Sequence, residues 1–254
     1  MKKQNLLVNQ NDIFKLGDHV LACGNCLDVA LVDKAVEGRK IKLIFSDAPY
    51  GVSYVENKES FGRTVSVNRA IENDNISSPG DYEEFTISWL EPIKKHLTRK
   101  NGFYMFNGDK MLLSVLKALE KLDFTFSQLL IWVKSQPIMG RKDFAPQHEL
   151  VLFGWFGVHE FMKSKDRSVL FHPKPHSNKL HPTMKPISLL RRLILNSTRV
   201  GDIIYDPFLG SGSTIIACEH TKRKCIGIEI DPEYCKIIIQ RWEKLTGGKA
   251  EKYE

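Results

Sequence analysis

The chain has 254 residues, of which 42% are hydrophobic and 26% are charged, and 37 lysines and arginines stand against 30 aspartates and glutamates. This composition is ordinary for a globular protein, and the length allows one large α/β domain or two small ones. No apolar run is long enough for a membrane span and residues 1–11 lack a signal-peptide pattern, so we expect a cytoplasmic protein without a membrane partner.

The five cysteines are odd in number, so they cannot all pair within one chain, and we expect reduced thiols. Cys23 and Cys26 are the only pair at metal-ligand spacing, and no second such pair exists. Small-residue packing is therefore the better interpretation of this pair, and we expect no metal site.

Taken in chain order, short apolar runs that predict strands alternate with segments of helical periodicity. The predicted strands are residues 19–23, 41–45, 102–106, 124–133, 148–153, 203–205 and 224–230. The predicted helices are residues 27–36, 82–97, 111–122, 186–195 and 231–245, with one more directly after Gly212. This alternation predicts an α/β fold with a mostly parallel sheet wound on both faces. Residues 246–254 are expected to be frayed.

A polar, unpatterned stretch covers residues 52–81. Loops of this length in a compact domain are usually functional or disordered. Because it directly follows a turn at a strand end, we expect a mobile lid.

That turn is Asp47-Ala48-Pro49-Tyr50, which follows the strand at residues 41–45. Asp47 can accept one N–H of an exocyclic amine, and the Ala48 carbonyl can accept the other, since Pro49 brings no competing donor. The ring of Tyr50 offers a stacking face for a base. Two acceptors on one amine favour direct methyl transfer to nitrogen, although an Asp-x-Pro turn is also common as a simple strand ending.

A second turn joins a strand at residues 203–205 to a helix and carries Gly210 and Gly212, and the next strand brings Glu229. Strand, glycine turn, helix and a following acid are typical of an adenosine-containing cofactor, whose ribose the acid binds. A dinucleotide site would have a third glycine where Ile215 stands. Asp206 opens the turn and would repel a pyrophosphate, whereas it suits the cationic S-adenosylmethionine. The sequence therefore favours S-adenosylmethionine.

A basic, histidine- and proline-rich stretch follows residue 162 and is typical either of a solvated face or of a contact loop. We interpret it as a short DNA-recognition insertion at about residues 155–180. Its candidate DNA-binding residues are Lys163, Lys165, Arg167, Lys174 and Lys179.

The Asp47–Tyr50 turn, followed much later by a turn spanning residues 206–214, resembles the beta-class DNA amino-methyltransferases, which methylate adenine N6 or cytosine N4. The resemblance extends to residues 24–27, 132–134, 148–149, 181–186 and 223–234, and so covers nearly the whole chain. It implies a Rossmann-like, doubly wound methyltransferase sheet that is circularly permuted, with the catalytic motif before the cofactor motif.

The resemblance also implies residue roles. The catalytic residues would be Asp47, Ala48, Pro49 and Tyr50. The cofactor-binding residues would be Asn25, Thr183, Lys185, Asp206, Phe208, Gly210, Ser211, Gly212, Ser213 and Glu229. Three positions depart from the usual pattern: Ala48 replaces a proline, Asn25 replaces an aspartate and Ser213 replaces a threonine.

We therefore expect a single methyltransferase domain over residues 1–254 that flips an adenine out of double-stranded DNA and methylates its N6. Asp47 favours adenine because, in this family, aspartate is commoner there for adenine and serine for cytosine. Cytosine N4 remains the alternative, and an NAD-binding oxidoreductase or a non-catalytic DNA-binding protein are more remote ones. We expect the protein to be a monomer or a homodimer, and its expected protein partner is a cognate restriction endonuclease.

Overall fold

The computed structural model describes residues 7–49, 78–137, 143–162, 166–173 and 185–253. The strands in these ranges are β1 (Ile13–Leu16), β2 (His19–Cys23), β3 (Ile41–Ser46), β4 (Leu97–Asn107), β5 (Phe124–Val133), β6 (His148–Phe156), β7 (Val169–Phe171), β8 (Ile203–Asp206), β9 (Lys224–Glu229) and β10 (Glu251–Tyr253). The helices are α1 (Val29–Val36), α2 (Pro79–Leu90), α3 (Leu112–Lys121), α4 (Ile187–Ser197), α5 (Ser213–Thr221) and α6 (Pro232–Thr246).

These strands form one sheet in the order β10-β1-β2-β9-β8-β3-β4-β6-β5-β7. The five central strands, from β2 to β4, all run parallel. Antiparallel pairs flank them on both sides, β1 with β2 and β10, and β6 with β4 and β5. The expected parallel sheet is thus present at the centre, where the βα units lie, while the flanks are mixed.

Helices cover both faces of the sheet and bury two separate cores. The core under α4, α5 and α6 contains Leu193, Ile216 and Trp242. The core under α1, α2 and α3 contains Val32, Trp89 and Leu119. The doubly wound architecture predicted from the alternating elements is confirmed. No helix in the described ranges is long and apolar enough to cross a membrane.

The helix boundaries follow from local capping and from the course of the chain. Asp28 accepts hydrogen bonds from the Ala30 and Leu31 amides at the start of α1. Helix α2 begins at Pro79, so the last residues of the expected loop at 52–81 are helical, and residues 50–77 lie outside the described part of the chain. The same helix ends at Leu90, not at residue 97, because the chain there turns into β4.

The prediction of a frayed tail was wrong. Strand β10 pairs antiparallel with β1, and the Lys15 ammonium lies 4.4 Å from the centroid of the Tyr253 ring. The Tyr253 hydroxyl also donates a hydrogen bond to Glu37. Strand β10 has only three residues, two of them charged, so its pattern does not predict a strand and only its pairing with β1 shows the structure.

Candidate active site

The two turns that carry the acidic motifs lie at the same edge of the sheet. Strands β3 and β8 are parallel neighbours in which Ile44 pairs with Tyr205. Asp47 directly follows β3 and Asp206 ends β8, so both lie at one carboxyl edge, which is where ligands bind in open α/β sheets. The fold brings together two motifs that are far apart in sequence.

Asp206 is enclosed at the base of the glycine turn, with only 3% of the residue exposed. Its Oδ1 accepts a hydrogen bond from the Phe208 amide at 3.0 Å, and its Oδ2 accepts one from the Thr214 hydroxyl at 2.5 Å. Burial raises the pKa of Asp206 to about 7 despite these bonds. A bound cation would therefore stabilise the ionised form of this buried carboxylate.

Glu229, at the end of β9, is tied to the same turn. Its Oε2 accepts from the Gly210 amide at 2.7 Å and its Oε1 accepts from the Asp231 amide at 3.0 Å. Burial raises the pKa of Glu229 to about 8. The Gly24 amide donates to the Glu229 carbonyl, which brings the exposed Asn25 beside it. The Asn25 side chain here accepts from the Leu27 amide.

The glycine turn requires its glycines. Gly210 and Gly212 have φ of 54° and 78°, in the left-handed region. A Cβ at Gly212 would lie 2.8 Å from Ile238, so α6 packs directly beneath the turn. Arg241 of α6 donates to the Ser211 carbonyl and holds the turn from below. The turn is therefore rigidly supported.

Helix α5 begins at this turn without a side-chain cap. The Ser213 hydroxyl oxygen, on its first residue, is buried and has no hydrogen-bond partner within the described ranges. Such orphaned polar atoms call for a ligand or water. The start of α5 therefore offers a hydroxyl and first-turn amides to an anionic group of a ligand.

Asp47 makes an ion pair that the sequence did not predict. Its Oδ2 accepts a hydrogen bond from Lys185 Nζ at 2.6 Å, and the same ammonium lies 3.3 Å from Glu149 Oε2. Burial raises the pKa of Asp47, the Lys185 ammonium opposes that rise and Glu149 adds to it. Ala48 is buried and Pro49 is half-buried beside it. Lys185 was expected to bind the cofactor, and that role stays a prediction.

Glu149 was missed as a site residue, although the His148-Glu149 dipeptide was noted as part of the family pattern. Glu149 is also paired with Lys134, whose Nζ lies 2.8 Å from Glu149 Oε1. A lysine and a glutamate at matching ends of two strands were the available signal. Their sequence separation gave no way to connect them to Asp47.

Of the candidate DNA-binding residues, Arg167 is described and is exposed. Lys163, Lys165, Lys174 and Lys179 lie outside the described residues, as do the catalytic candidate Tyr50 and the cofactor candidate Thr183. Next to Arg167, Asp166 accepts two hydrogen bonds from Arg192 of α4, at 2.9 and 2.7 Å, and one from Asn196 at 2.5 Å. This clamp fixes the start of the segment that leads to β7.

All five cysteines are buried free thiols. In the part of the chain that the structure describes, no group of three or more His, Cys, Asp or Glu side chains is arranged to hold a metal ion. Burial raises the pKa of Cys26, which lies near Asp206 and Glu229, to about 12. Its thiol is therefore neutral near pH 7 and poorly suited to nucleophilic attack.

Comparison with known proteins identifies relatives across most of the chain. A family model described as DNA methylase (N6_N4_Mtase) matches residues 41–240, which include both acidic turns. The chain is 32% identical to Type II methyltransferase M2.DpnII of Streptococcus pneumoniae, over 79% of this chain and 82% of that protein. It is 28% identical to Type II methyltransferase M.HpaI of Haemophilus parainfluenzae, over 91% of this chain and 76% of that protein.

Solved structures share the fold at lower identity. The M1.HpyAVI–SAM complex superposes with a TM-score of 0.65 and 21% identity, over 87% of this chain and 97% of that chain. PvuII DNA methyltransferase (cytosine-N4-specific) superposes with a TM-score of 0.67 and 17% identity, over 95% and 94% of the two chains. These likenesses confirm the Rossmann-like methyltransferase fold that the sequence predicted.

Proposed function

The chain belongs to the N6/N4 DNA methylase family, and from this membership we propose that it transfers a methyl group from S-adenosylmethionine to the N6 amine of adenine in double-stranded DNA. The observation that carries the proposal is the position of the Asp47 carboxylate at the same sheet edge as the buried acids Asp206 and Glu229. An amine acceptor and a cofactor cradle thus lie side by side.

The cradle fits S-adenosylmethionine. The buried carboxylates of Asp206 and Glu229 would favour a cationic ligand, and Glu229 would bind the ribose hydroxyls. The buried Ser213 hydroxyl and the uncapped start of α5 suit the carboxylate of the methionine part. When bound, S-adenosylmethionine supplies a methyl group on a cationic sulfur, and the sulfur keeps the electron pair of the broken C–S bond as a neutral thioether.

The Asp47 turn would hold the amine that receives the methyl group. Asp47 would accept one N–H and the Ala48 carbonyl the other, which turns the nitrogen lone pair toward the electrophile. That lone pair would form the new C–N bond, and the methylated nitrogen would then lose its extra proton to solvent water. Tyr50, outside the described residues, is proposed to stack on the base.

DNA would be held by the segment that contains Arg167 together with Lys163, Lys165, Lys174 and Lys179. A base in a duplex cannot reach a pocket at this sheet edge, so it must be flipped out. Basic side chains on the phosphates would hold the duplex while the base is extruded. We propose that this segment is the DNA-recognition part of a single methyltransferase domain. The homodimer or monomer state and a partner endonuclease stay predictions.

Adenine is the proposed base because a carboxylate, rather than a hydroxyl, opens the catalytic turn. The test is mass spectrometry of nucleosides from duplex DNA that has been treated with enzyme and isotope-labelled cofactor. We expect label in N6-methyldeoxyadenosine. Label in N4-methyldeoxycytidine would assign the other branch of the family, and label in neither nucleoside would refute a DNA amino-methyltransferase.

A further inference from the structure

Four charged side chains of alternating sign form a continuous line that ends at the catalytic carboxylate. Lys134 Nζ lies 2.8 Å from Glu149 Oε1, and Lys185 Nζ lies 3.3 Å from Glu149 Oε2 and 2.6 Å from Asp47 Oδ2. The residues Lys134 and Lys185 are only 3% and 6% exposed. Buried ammonium groups are tolerated only when they are paired, so the line acts as one electrostatic unit.

The ammonium groups of the two lysines in this line each lie over an aromatic ring. Lys134 Nζ lies 5.5 Å from the centroid of the Trp132 ring, and Lys185 Nζ lies 5.2 Å from that of the Phe106 ring. The two rings pack edge to face, with their centroids 6.3 Å apart. Cations over ring faces are stabilised by the ring quadrupole. Both ammonium groups are therefore held in fixed places.

The distal pair is anchored by the register of the sheet. Glu149 of β6 pairs with Trp132 of β5, and Lys134 directly follows β5. The Lys134 amide donates to the Gln147 carbonyl at 2.8 Å, and the Gln147 side chain donates to the Lys134 carbonyl at 3.0 Å. Lys134 and Glu149 thus belong to the rigid sheet, whereas Lys185 lies just before α4.

We propose that Glu149 and Lys134 are positioning residues for methyl transfer, which hold the Lys185 ammonium on one oxygen of Asp47 and so orient the other oxygen toward the target amine. This inference rests on the proposed function. Neither residue touches the substrate in it; they act through Lys185. The line as a whole is neutral, with two cations and two anions.

Charge changes in the line should alter the protonation of Asp47 in opposite directions. The charged groups that face Asp47 are Lys185, Glu149 and Lys134, with Asp206 at the neighbouring strand end. Removing the Glu149 anion leaves a net positive charge, which favours ionised Asp47 but binds it more tightly to Lys185. Removing the Lys134 cation leaves a net negative charge, which favours protonated Asp47.

The test is the pH dependence of kcat for Glu149→Gln and Lys134→Met on duplex DNA. We expect kcat to fall about 10- to 100-fold in Glu149→Gln, as loss of precise orientation does, with its acid limb at lower pH than in the wild type. In Lys134→Met the acid limb should move to higher pH. Cofactor affinity, measured by calorimetry, should change less than about threefold in either variant.

The double variant Lys134→Met/Glu149→Gln separates positioning from simple structural damage. Lys134 acts on Lys185 only through Glu149, so its removal should lower kcat no further once Glu149 is lost, and kcat of the double variant should equal that of Glu149→Gln within about threefold. Because the remaining Lys185–Asp47 pair is neutral, the acid limb should return toward the wild-type pH. The double variant also serves if a single variant fails to fold, because it contains no unbalanced charge. Losses that multiply in the double variant would overturn the inference.

A charge change elsewhere provides the matched control. Asp33 pairs with Lys95 and His96 on the surface, so Asp33→Asn should leave the kcat–pH profile unchanged. The inference would be overturned if Glu149→Gln and Lys134→Met kept the acid limb of the wild type, or if both variants shifted it in the same direction. The proposed function would stand in either case. A wild-type enzyme that methylates no DNA would instead overturn the proposed function.

Discussion

Phe208, in the glycine turn, packs edge-on against Trp89 of α2, with ring centroids 5.5 Å apart and ring planes at 87°. Phe85 of the same helix lies 5.9 Å from Phe208. Trp89 is 2% exposed, so this contact is part of the core. The helix that follows the Asp47 turn in sequence therefore supports the turn that follows β8.

Replacing Trp89 with leucine should weaken both stability and cofactor binding. The cavity left in the core should lower the free energy of unfolding by about 2–4 kcal/mol. Phe208 would lose its edge-on support, and the affinity for S-adenosylmethionine should fall several-fold. Denaturant unfolding and calorimetry measure the two effects.

Trp155→Leu is the matched control for that change. Trp155 belongs to β6, away from the glycine turn. It is half-buried and stacks on the His159 ring. The substitution should reduce stability less and leave cofactor affinity unchanged. Equal losses of affinity in the two variants would contradict a specific support of Phe208 by Trp89.

Binding of S-adenosylmethionine should release protons and become tighter as pH rises toward 8. Burial raises the pKa of Asp206 to about 7 and that of Glu229 to about 8, so both are partly protonated near neutral pH without ligand. A cationic ligand favours their ionised forms. Calorimetry in two buffers of different ionisation enthalpy, near pH 7, should show proton release that shrinks in Asp206→Asn.

The same acids affect the ligand-free protein in the opposite sense. Their pKa values in the folded state lie above the unfolded values near 4, so the folded state binds more protons between about pH 4 and pH 8. Their contribution to stability falls as pH rises through this window. Asp206→Asn should therefore flatten the pH dependence of the free energy of unfolding. Proton uptake on ligand binding, or an unchanged pH profile, would contradict the assignment.

Asp47→Ala should lower the methylation rate about a hundredfold or more, because a preorganised polar contact to the amine is lost. Lys185 keeps its partner Glu149 in this variant, so the fold and the affinity for S-adenosylmethionine should survive. Incorporation of labelled methyl groups measures the rate, and calorimetry measures the affinity. Asp18→Asn, on an exposed surface pair with Lys224, is the control and should retain full rate.

Neutralising Lys163, Lys165 and Lys174 together should weaken DNA binding and flatten its salt dependence, because fewer counterions are released from the phosphates. Fluorescence anisotropy over a range of salt concentrations measures the slope. The control triple is Lys34, Lys222 and Lys244, exposed at the ends of α1, α5 and α6. The same slope in both triples would mean that the first is only a solvated face.

The sequence was sufficient for the central sheet and for the acidic turns, for a physical reason. Runs such as residues 41–45 and 203–205 are buried on both faces, so they read as continuous apolar segments that end abruptly at Asp47 and Asp206. The parallel arrangement of β3 and β8 then places both turns at one edge. Local pattern and topology agree there.

The charged line behind Asp47 could not be predicted in the same way. Lys134 and Glu149 sit at strand ends, where charged residues are ordinary, and only the β5–β6 register joins them. Lys185 reaches Asp47 from the start of α4, a contact between residues 138 positions apart. Such pairings depend on tertiary packing, and no periodic pattern in the sequence predicts them.

The position of β2 in the sheet has a consequence for how the protein is made. Strand β2 lies between β1 and β9, and the His19 ring accepts a hydrogen bond from the Cys225 amide, 206 residues further along the chain. The edge of β2 that pairs with β9 therefore stays unpaired until residues 224–229 have been synthesised. Long-range parallel pairing is slow to form and leaves strand edges open meanwhile. We therefore expect chaperones to bind the nascent chain at its N-terminal hairpin. Slower translation would lengthen the time for which the edge of that hairpin is exposed.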